Sequence, residues 1–120
     1  MRRFARAYET ADIESLVELF TDDVFMSMPP IPLEYVGREV VGAFCSLFFA
    51  SGRVYEVVAT RANGQPAFGL YLKRPDGSAR AAGLIVLALN GDRISALTRF
   101  ESSLVEVCGL ELSLPPSPRV

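Results

Sequence analysis

The stretch YEVVATRANGQPAFGLYL, residues 55–72, decides the fold class of this chain of 120 residues. On both sides of Asn63-Gly64, apolar residues recur at every second position, which is the pattern of a β-strand with one buried face. Asn-Gly is a strong hairpin signal, because a tight primed turn needs positive φ at both central residues. We therefore predict two antiparallel strands joined by a turn at residues 63–64.

Two further strands are predicted downstream of this hairpin. Pro75-Asp76-Gly77 and Asn90-Gly91-Asp92 are turn sequences, because Pro, Asp, Asn and Gly favour the backbone angles of turns. Between them Ala79 to Leu89 is predicted to be a long third strand, and Ile94 to Phe100 alternates again. The second half of the chain is therefore predicted to be a four-stranded antiparallel meander.

The first half of the chain carries a helical period instead. A first helix is predicted from an apolar stripe at helical spacing, formed by Phe4, Ala7, Tyr8 and Ala11. Asp12 is predicted to cap a second short helix, because an aspartate can accept a hydrogen bond from the first helical turn. The apolar face of that helix is predicted to consist of Leu16, Val17, Leu19 and Phe20.

A strand and a third helix complete this half. Val24 to Met28 is predicted to be a strand that ends at a proline-rich loop, since proline cannot donate to a strand ladder. The third helix is predicted to begin at Gly37-Arg38-Glu39 and to end at Ser51-Gly52.

This order of elements predicts an α+β fold, with a curved antiparallel sheet wrapped over three N-terminal helices. Gly69 and Gly83 lie inside predicted strands and are the expected bending points, because glycine in a strand often marks a bulge or a bend. A sheet curved in this way would enclose a cavity. We predict a single domain over residues 1–113 and a Pro-rich C-terminal tail over residues 114–120.

The composition excludes several classes of function. The chain has 12 basic and 14 acidic residues, a formal net charge of −2, and it is 50% hydrophobic. This weak acidic charge argues against direct nucleic-acid binding, which depends on a basic surface. The absence of histidine excludes an imidazole base and any His-containing metal site, and two cysteines cannot hold zinc alone. No metal and no cofactor are expected.

The N-terminal residues do not resemble a targeting segment. Met1 to Glu9 mixes charged and apolar side chains, unlike a secretory signal. The longest apolar run, Ala81 to Leu89, is far shorter than the roughly 20 residues that span a bilayer. We expect a cytoplasmic protein without membrane contact, in which Cys45 is a reduced core thiol. No role is assigned to Cys108.

Several segments carry a family resemblance. Residues 8–23, YETADIESLVELFTDD, resemble the opening of the SnoaL-like branch of the nuclear-transport-factor-2-like superfamily. Residues 28–39, MPPIPLEYVGRE, resemble a segment of the C-terminal SnoaL-like domain that some extracytoplasmic-function (ECF) RNA polymerase sigma factors carry. Residues 94–100, ISALTRF, and Leu114-Pro115-Pro116 resemble the end of those domains.

The resemblance covers nearly the whole chain, and it implies the cone-shaped α+β fold of that superfamily. It also implies an association with a sigma factor or with RNA polymerase. Sigma factors carry two further helical domains that bind DNA and polymerase, for which 120 residues leave no room. The sequence is therefore expected to be a free-standing relative or an excised domain.

The resemblance also bears on catalysis. Ketosteroid isomerases, polyketide cyclases and epoxide hydrolases of this superfamily place carboxylates inside the cone, where burial raises the pKa for acid–base work. At or near the corresponding positions this chain has Met28, Ile85 and Arg99. The sequence therefore favours a pocket domain that binds a small apolar molecule and is non-catalytic or regulatory.

An enzyme remains the alternative. It would be an isomerase, cyclase or epoxide hydrolase that works without a metal on a hydrophobic substrate. Glu34 would then be the acid or base, with Tyr8 or Tyr35 as hydrogen-bond donor. The competing interpretations are that Glu34 is a solvated loop carboxylate and that Tyr8 packs in the core with its hydroxyl at the rim.

The predicted ligand-binding residues share the inward face of the sheet or lie near the cavity entrance. They are Met28, Tyr35, Phe48, Phe68, Leu70, Ile85, Leu87, Ala96, Thr98 and Phe100. Among the strand positions Thr98 is the only polar side chain, so the surface suits a hydrophobic ligand with one or two hydrogen bonds. The alternative is that these residues simply fill a core.

The outward face of the sheet is predicted to be solvated or to form a homodimer. Strict alternation places Arg99 and Glu101 on that face, as an ion-pair surface or part of a dimer interface. The outer positions compatible with a dimer through the sheet are Val58, Tyr71, Leu84, Val86 and Leu97.

Overall fold

The computed structural model describes residues 2–29, 31–52, 54–62, 64–101 and 109–114. Three helices are present among them: α1 (Arg2–Glu9), α2 (Ile13–Glu18) and α3 (Arg38–Phe49). The strands are β1 (Phe20–Met28), β2 (Ile31–Val36), β3 (Tyr55–Ala62), β4 (Gln65–Lys73), β5 (Ala79–Asn90), β6 (Arg93–Phe100) and β7 (Ser113–Leu114). None of the described helices has the length and apolar character needed to cross a membrane.

The strands form one curved sheet in the order β2-β1-β6-β5-β4-β3, and β7 pairs with β5. The predicted antiparallel meander is confirmed, since β3, β4, β5 and β6 pair in sequence. Strand β1 lies parallel to β6 at the other side of the meander, so the sheet is mixed. The α+β fold predicted from the sequence is confirmed.

The hairpin turns lie where the sequence places them. Ala62 pairs with Gln65 across the first hairpin, and Gly64 has a φ of +76°, as a primed turn requires. Asn90 pairs with Arg93 across the hairpin of β5 and β6, where Gly91 has a φ of +67°. Asn63, the other half of the predicted Asn-Gly turn, lies outside the described residues.

The predicted cap of α2 is also confirmed. The backbone N–H of Ser15 donates to Asp12 Oδ1 at 3.2 Å, and its hydroxyl donates to Oδ2 at 2.7 Å. These two bonds favour the ionised carboxylate, and they lower the pKa of Asp12. The first helix is shorter than its stripe suggested, because α1 ends at Glu9 and Ala11 is exposed with a φ of 55°.

The proline-rich segment differs from its prediction. Instead of a loop, residues 31–36 form β2, which pairs with β1 and lies at the edge of the sheet. Pro32 is tolerated there because an edge strand has one side that needs no ladder hydrogen bond. Strand β1 also begins earlier than predicted, at Phe20 instead of Val24.

The helices cover one face of the sheet and close the main core with it. Val17 of α2 and Gly42 of α3 meet so closely that a Cβ at Gly42 would lie 2.9 Å from Val17 Cγ2. The buried residues of this core are Phe4, Ala7, Tyr8, Leu16, Leu19, Phe20, Val24, Met26, Val41, Cys45, Tyr55, Phe68, Leu70, Ile85, Leu87, Ile94 and Leu97. We call the packed region between the helices and this face of the sheet the cone interior.

The C-terminal segment, residues 109–114, packs against the opposite face of the sheet. Tyr71 donates its hydroxyl hydrogen bond to the carbonyl of Glu111, and Leu114 pairs with Ala79. Leu110 fills the space beside Gly69, where a Cβ would lie 2.7 Å from Leu110 Cδ1. The glycine thus makes room for the segment. Leu114, predicted to begin the tail, belongs to this packing, and residues 115–120 lie outside the described residues.

This packing changes the interpretation of the outer face. Tyr71 and Leu84 point outward as predicted, but they are buried in a second apolar cluster with Leu110 and Leu114 against it. Leu97 was predicted on the outer face, and this is wrong, since it belongs to the core of the cone interior.

We predict that Tyr71→Phe lowers the free energy of unfolding by about 0.5–1.5 kcal/mol, because the variant loses the bond to Glu111. Urea denaturation followed by circular dichroism measures this loss. Tyr55→Phe is the matched control, since the hydroxyl of Tyr55 is buried without a hydrogen-bond partner among the described residues. No loss is expected for the control. Equal losses in the two variants would contradict the assignment.

Candidate functional site

The site depends on a bulge in β6. Leu89 pairs with Ile94, but the preceding residue Ala88 pairs with Ala96, so Ser95 is an extra residue in β6. An extra residue reverses the face on which every later side chain lies. Ile94 and Leu97, three residues apart, are therefore both buried in the main core.

The bulge overturns the predicted faces of β6. Ala96, Thr98 and Phe100 were predicted to line the cavity, and the structure places them on the opposite face. Thr98 pairs with Val86, and Phe100 packs against the outer apolar cluster. The error arose because the faces were assigned by counting every second residue from the buried Ile94. The inserted Ser95 leaves no visible break in the alternation of side chains along the sequence.

Arg99 was predicted on the solvated face, and this is also wrong. It pairs with Ile85, a residue of the main core, and its guanidinium carbon lies 4.9 Å from the centroid of the Phe48 ring. A guanidinium at this distance from an aromatic face gains a cation–π attraction. Its positive charge also reaches the side chains of Tyr8 and Cys45, whose ionised forms it stabilises.

Tyr8 lies at the centre of an aromatic group. Its ring meets Phe49 at 5.1 Å and Tyr55 at 5.6 Å, both edge to face. The side chain is only 5% exposed, so Tyr8 packs inside the core. Burial raises the pKa of Tyr8 far above its usual value, and the charge of Arg99 offsets only part of this effect.

Cys45 and Tyr55 complete what we call the interior cluster, which consists of Tyr8, Cys45, Tyr55 and Arg99. Cys45 is a free, buried thiol as predicted, and burial raises its pKa to about 12. Tyr55 is 4% exposed, and its hydroxyl has no hydrogen-bond partner among the described residues. Tyr55 could not be singled out from the sequence, since a tyrosine that begins a strand gives no sign that its hydroxyl is left unpaired.

A row of rings connects Arg99 with the surface. Tyr35 of β2 stacks on Phe44 at 4.7 Å, and Phe44 meets Phe48 edge to face at 5.1 Å. Two open depressions of about 540 and 240 Å³ lie along this row and share Phe44 and Leu47. We call them together the α3 groove, which is lined by Tyr35, Glu39, Val40, Ala43, Phe44, Leu47, Phe48 and Ser51.

The remaining predicted lining residues fall into two groups. Phe68, Leu70, Ile85 and Leu87 belong to the core of the cone interior. Tyr35 and Phe48 line the α3 groove, and the half-buried Met28 lies at the end of β1.

The predicted acid, Glu34, lies away from the interior cluster. It is exposed on the edge strand β2 and pairs with Ser27. No acidic residue is buried in the part of the chain that the structure describes. Cys108 lies outside those residues.

Comparison with known proteins supports the sequence resemblance. The family model described as SnoaL-like domain matches residues 1–97. The ECF RNA polymerase sigma factor SigG of Mycobacterium tuberculosis (strain CDC 1551 / Oshkosh) is 32% identical in an alignment of 120 positions that covers 95% of this chain and 31% of that protein. The chain thus spans about a third of the length of this relative.

Solved structures show the same fold at lower identity. A putative ketosteroid isomerase from Kribbella flavida DSM 17836 has a TM-score of 0.64 and 18% identity, over 83% of this chain and 73% of that chain. An NTF2-like protein of unknown function from Mesorhizobium loti has a TM-score of 0.67 and 19% identity, over 84% and 86%. These likenesses confirm the cone-shaped α+β fold that the resemblance implied.

We predict that the Cys45 thiol resists alkylation in the folded protein. A pKa of about 12 instead of 9.0 leaves about a thousand-fold less thiolate at pH 8 than in the unfolded chain. The same pKa difference makes stability depend on pH, because unfolding frees the thiol to ionise. The contribution of Cys45 to the free energy of unfolding is complete below pH 9 and is lost as the pH rises toward 12.

Iodoacetamide labelling followed by mass spectrometry tests this prediction. The Cys108→Ser variant isolates Cys45, and the same variant in concentrated urea supplies the unprotected rate. Equal labelling rates with and without urea would contradict the burial of the thiol.

Proposed function

This chain belongs to the SnoaL-like domain family, and from that membership we propose that it is a small-molecule-binding pocket domain with a regulatory, non-catalytic role. The observation that carries the proposal is the chemistry of the interior cluster. Arg99, Tyr8 and Tyr55 bring hydrogen-bond donors into surroundings that are otherwise aromatic and aliphatic. Such a combination of an apolar wall with a few polar groups is typical of ligand pockets.

The protonation states favour binding over acid–base catalysis. A general base works best when its pKa lies near the working pH. Tyr8 and Cys45 have pKa values raised by burial, so both stay protonated at neutral pH. Glu34 is an exposed carboxylate on β2 and pairs with Ser27, which in turn pairs with Thr98 of the outer face. The interior groups are therefore suited to hold a ligand rather than to take a proton from it.

The regulatory part of the proposal rests on the sigma-factor relative. The alignment covers 31% of the length of SigG and 95% of the length of this chain. We propose that the domain responds to its ligand in association with a sigma factor or RNA polymerase in the cytoplasm. A homodimer through the sheet is a weaker proposal, because the segment at residues 109–114 packs on the outer face.

Thermal unfolding with a broad panel of apolar small molecules tests the proposed function. A ligand at a hundred times its Kd stabilises the folded state by about 2.7 kcal/mol, which for a domain of this size is a rise in Tm of roughly 10 °C. The ligand is expected to be recovered unchanged after prolonged incubation.

Two results would contradict the proposal. One is a panel in which no compound raises the Tm. The other is chemical conversion of a bound compound. In that case the Glu34→Gln variant shows whether the Glu34 carboxylate carries the reaction, since turnover would then be abolished in the variant. Tyr71→Phe serves as a control with a changed outer face, and its Tm should rise by the same amount on ligand addition.

A further inference from the structure

We propose that the ligand is an amphipathic carboxylate, whose anionic end pairs with Arg99 and whose apolar body lies along the α3 groove. This inference rests on the proposed function and names the ligand class that the site selects. Three observations support it: the position of Arg99 over the Phe48 ring, the unpaired hydroxyl of Tyr55, and the exposed apolar groove that Phe48 helps to line.

Arg99 is a cation that lacks an anionic partner in the described structure. The ion pair shown among the described residues joins Arg38 to Asp22 at 3.5 Å, on another part of the surface. The contact of Arg99 is the Phe48 ring, which attracts the charge but uses none of the guanidinium N–H groups. Those N–H groups match a carboxylate in geometry, because two of them can bind its two oxygens in parallel.

The neighbouring groups add donors but no strong acceptor. Tyr8 and Cys45 feel the charge of Arg99 and stay protonated at neutral pH. Tyr55, whose hydroxyl is unpaired among the described residues, has its ring centroid 5.6 Å from that of Tyr8. A buried hydroxyl without a partner is costly, and a ligand that supplies an acceptor oxygen relieves that cost. A donor-rich cluster around a cation therefore favours an anion over a neutral or cationic molecule.

The α3 groove suits the apolar body of such a ligand. Leu47 is 74% exposed and Val40 is 49% exposed, although both are large apolar side chains. Contiguous exposed apolar residues in a depression mark a binding surface. The groove is lined in part by Phe48, the same ring that Arg99 covers, so the groove and Arg99 share one neighbour.

Three probes with the same ten-carbon chain test the inference: decanoate, decanol and decylamine. Isothermal titration calorimetry compares their Kd values on the wild-type protein. Decanoate is expected to bind about 10- to 100-fold more tightly than decanol, the range of a charge-assisted hydrogen bond. Decylamine is expected to bind more weakly than decanol, because Arg99 repels its charge.

Variants then assign the preference to Arg99. Arg99→Met is expected to bring the decanoate and decanol Kd values within about threefold of each other. The remaining difference would reflect the electrostatic potential of the whole protein surface. Arg99→Lys keeps the charge and should retain part of the preference. Arg80→Met, which removes an exposed arginine from β5, is the matched control and should retain all of it. Leu47→Ser should weaken decanoate and decanol alike.

The outcomes separate this inference from the proposed function. Equal binding of decanoate and decanol to the wild type overturns the carboxylate inference, while the proposed pocket stands. An unchanged preference in Arg99→Met overturns the role of Arg99. If none of the three probes binds, the carboxylate inference fails, and the thermal-unfolding panel of neutral compounds decides the proposed function independently. Circular dichroism confirms that each variant is folded before its Kd values are compared.

Discussion

The inserted residue in β6 is the constraint on which the site depends. Because Ser95 is extra, Ile94 and Leu97 both contribute to the main core, and Arg99 follows Leu97 at a position opposite Ile85. Without the insertion, the period of two would place Thr98 beside the core and Arg99 on the outer face. A single bulge therefore determines whether the cone interior contains a cation, and the face of Phe48 stabilises the cation where it lies.

The two faces of the sheet have different partners, and this difference leaves one side of the molecule open. The outer face holds its own apolar cluster, against which Leu110 and Leu114 pack. The exposed apolar side chains concentrate instead on β2 and α3, where Val36, Val40 and Leu47 remain in contact with solvent. This is why we propose ligand binding at the α3 groove and the interior cluster behind it.

Local signals in the sequence were sufficient for most of the fold. Asp12 caps α2, and Gly64 and Gly91 take positive φ, because each of these effects involves only neighbouring residues. The bulge at Ser95 could not be predicted in this way, since it is defined by which residues of β5 pair with β6. The loop predicted at Pro32 was wrong for a related reason, since the position of Pro32 in an edge strand depends on the pairing of β2 with β1. The candidate site was thus only partly predictable: Tyr35 and Phe48, which line the α3 groove, were named from the sequence, whereas Arg99 was assigned to the wrong face of β6.

The side-chain direction of Arg99 is tested most directly by nuclear Overhauser effects in the folded, ligand-free domain. The structure predicts contacts between the Arg99 side-chain protons and the Phe48 ring, together with contacts between the Thr98 methyl group and Val86 on the other face. Contacts from the Thr98 methyl group to Leu87 or Phe68, with none from Arg99 to Phe48, would show regular alternation in β6. That result would contradict the account of the site.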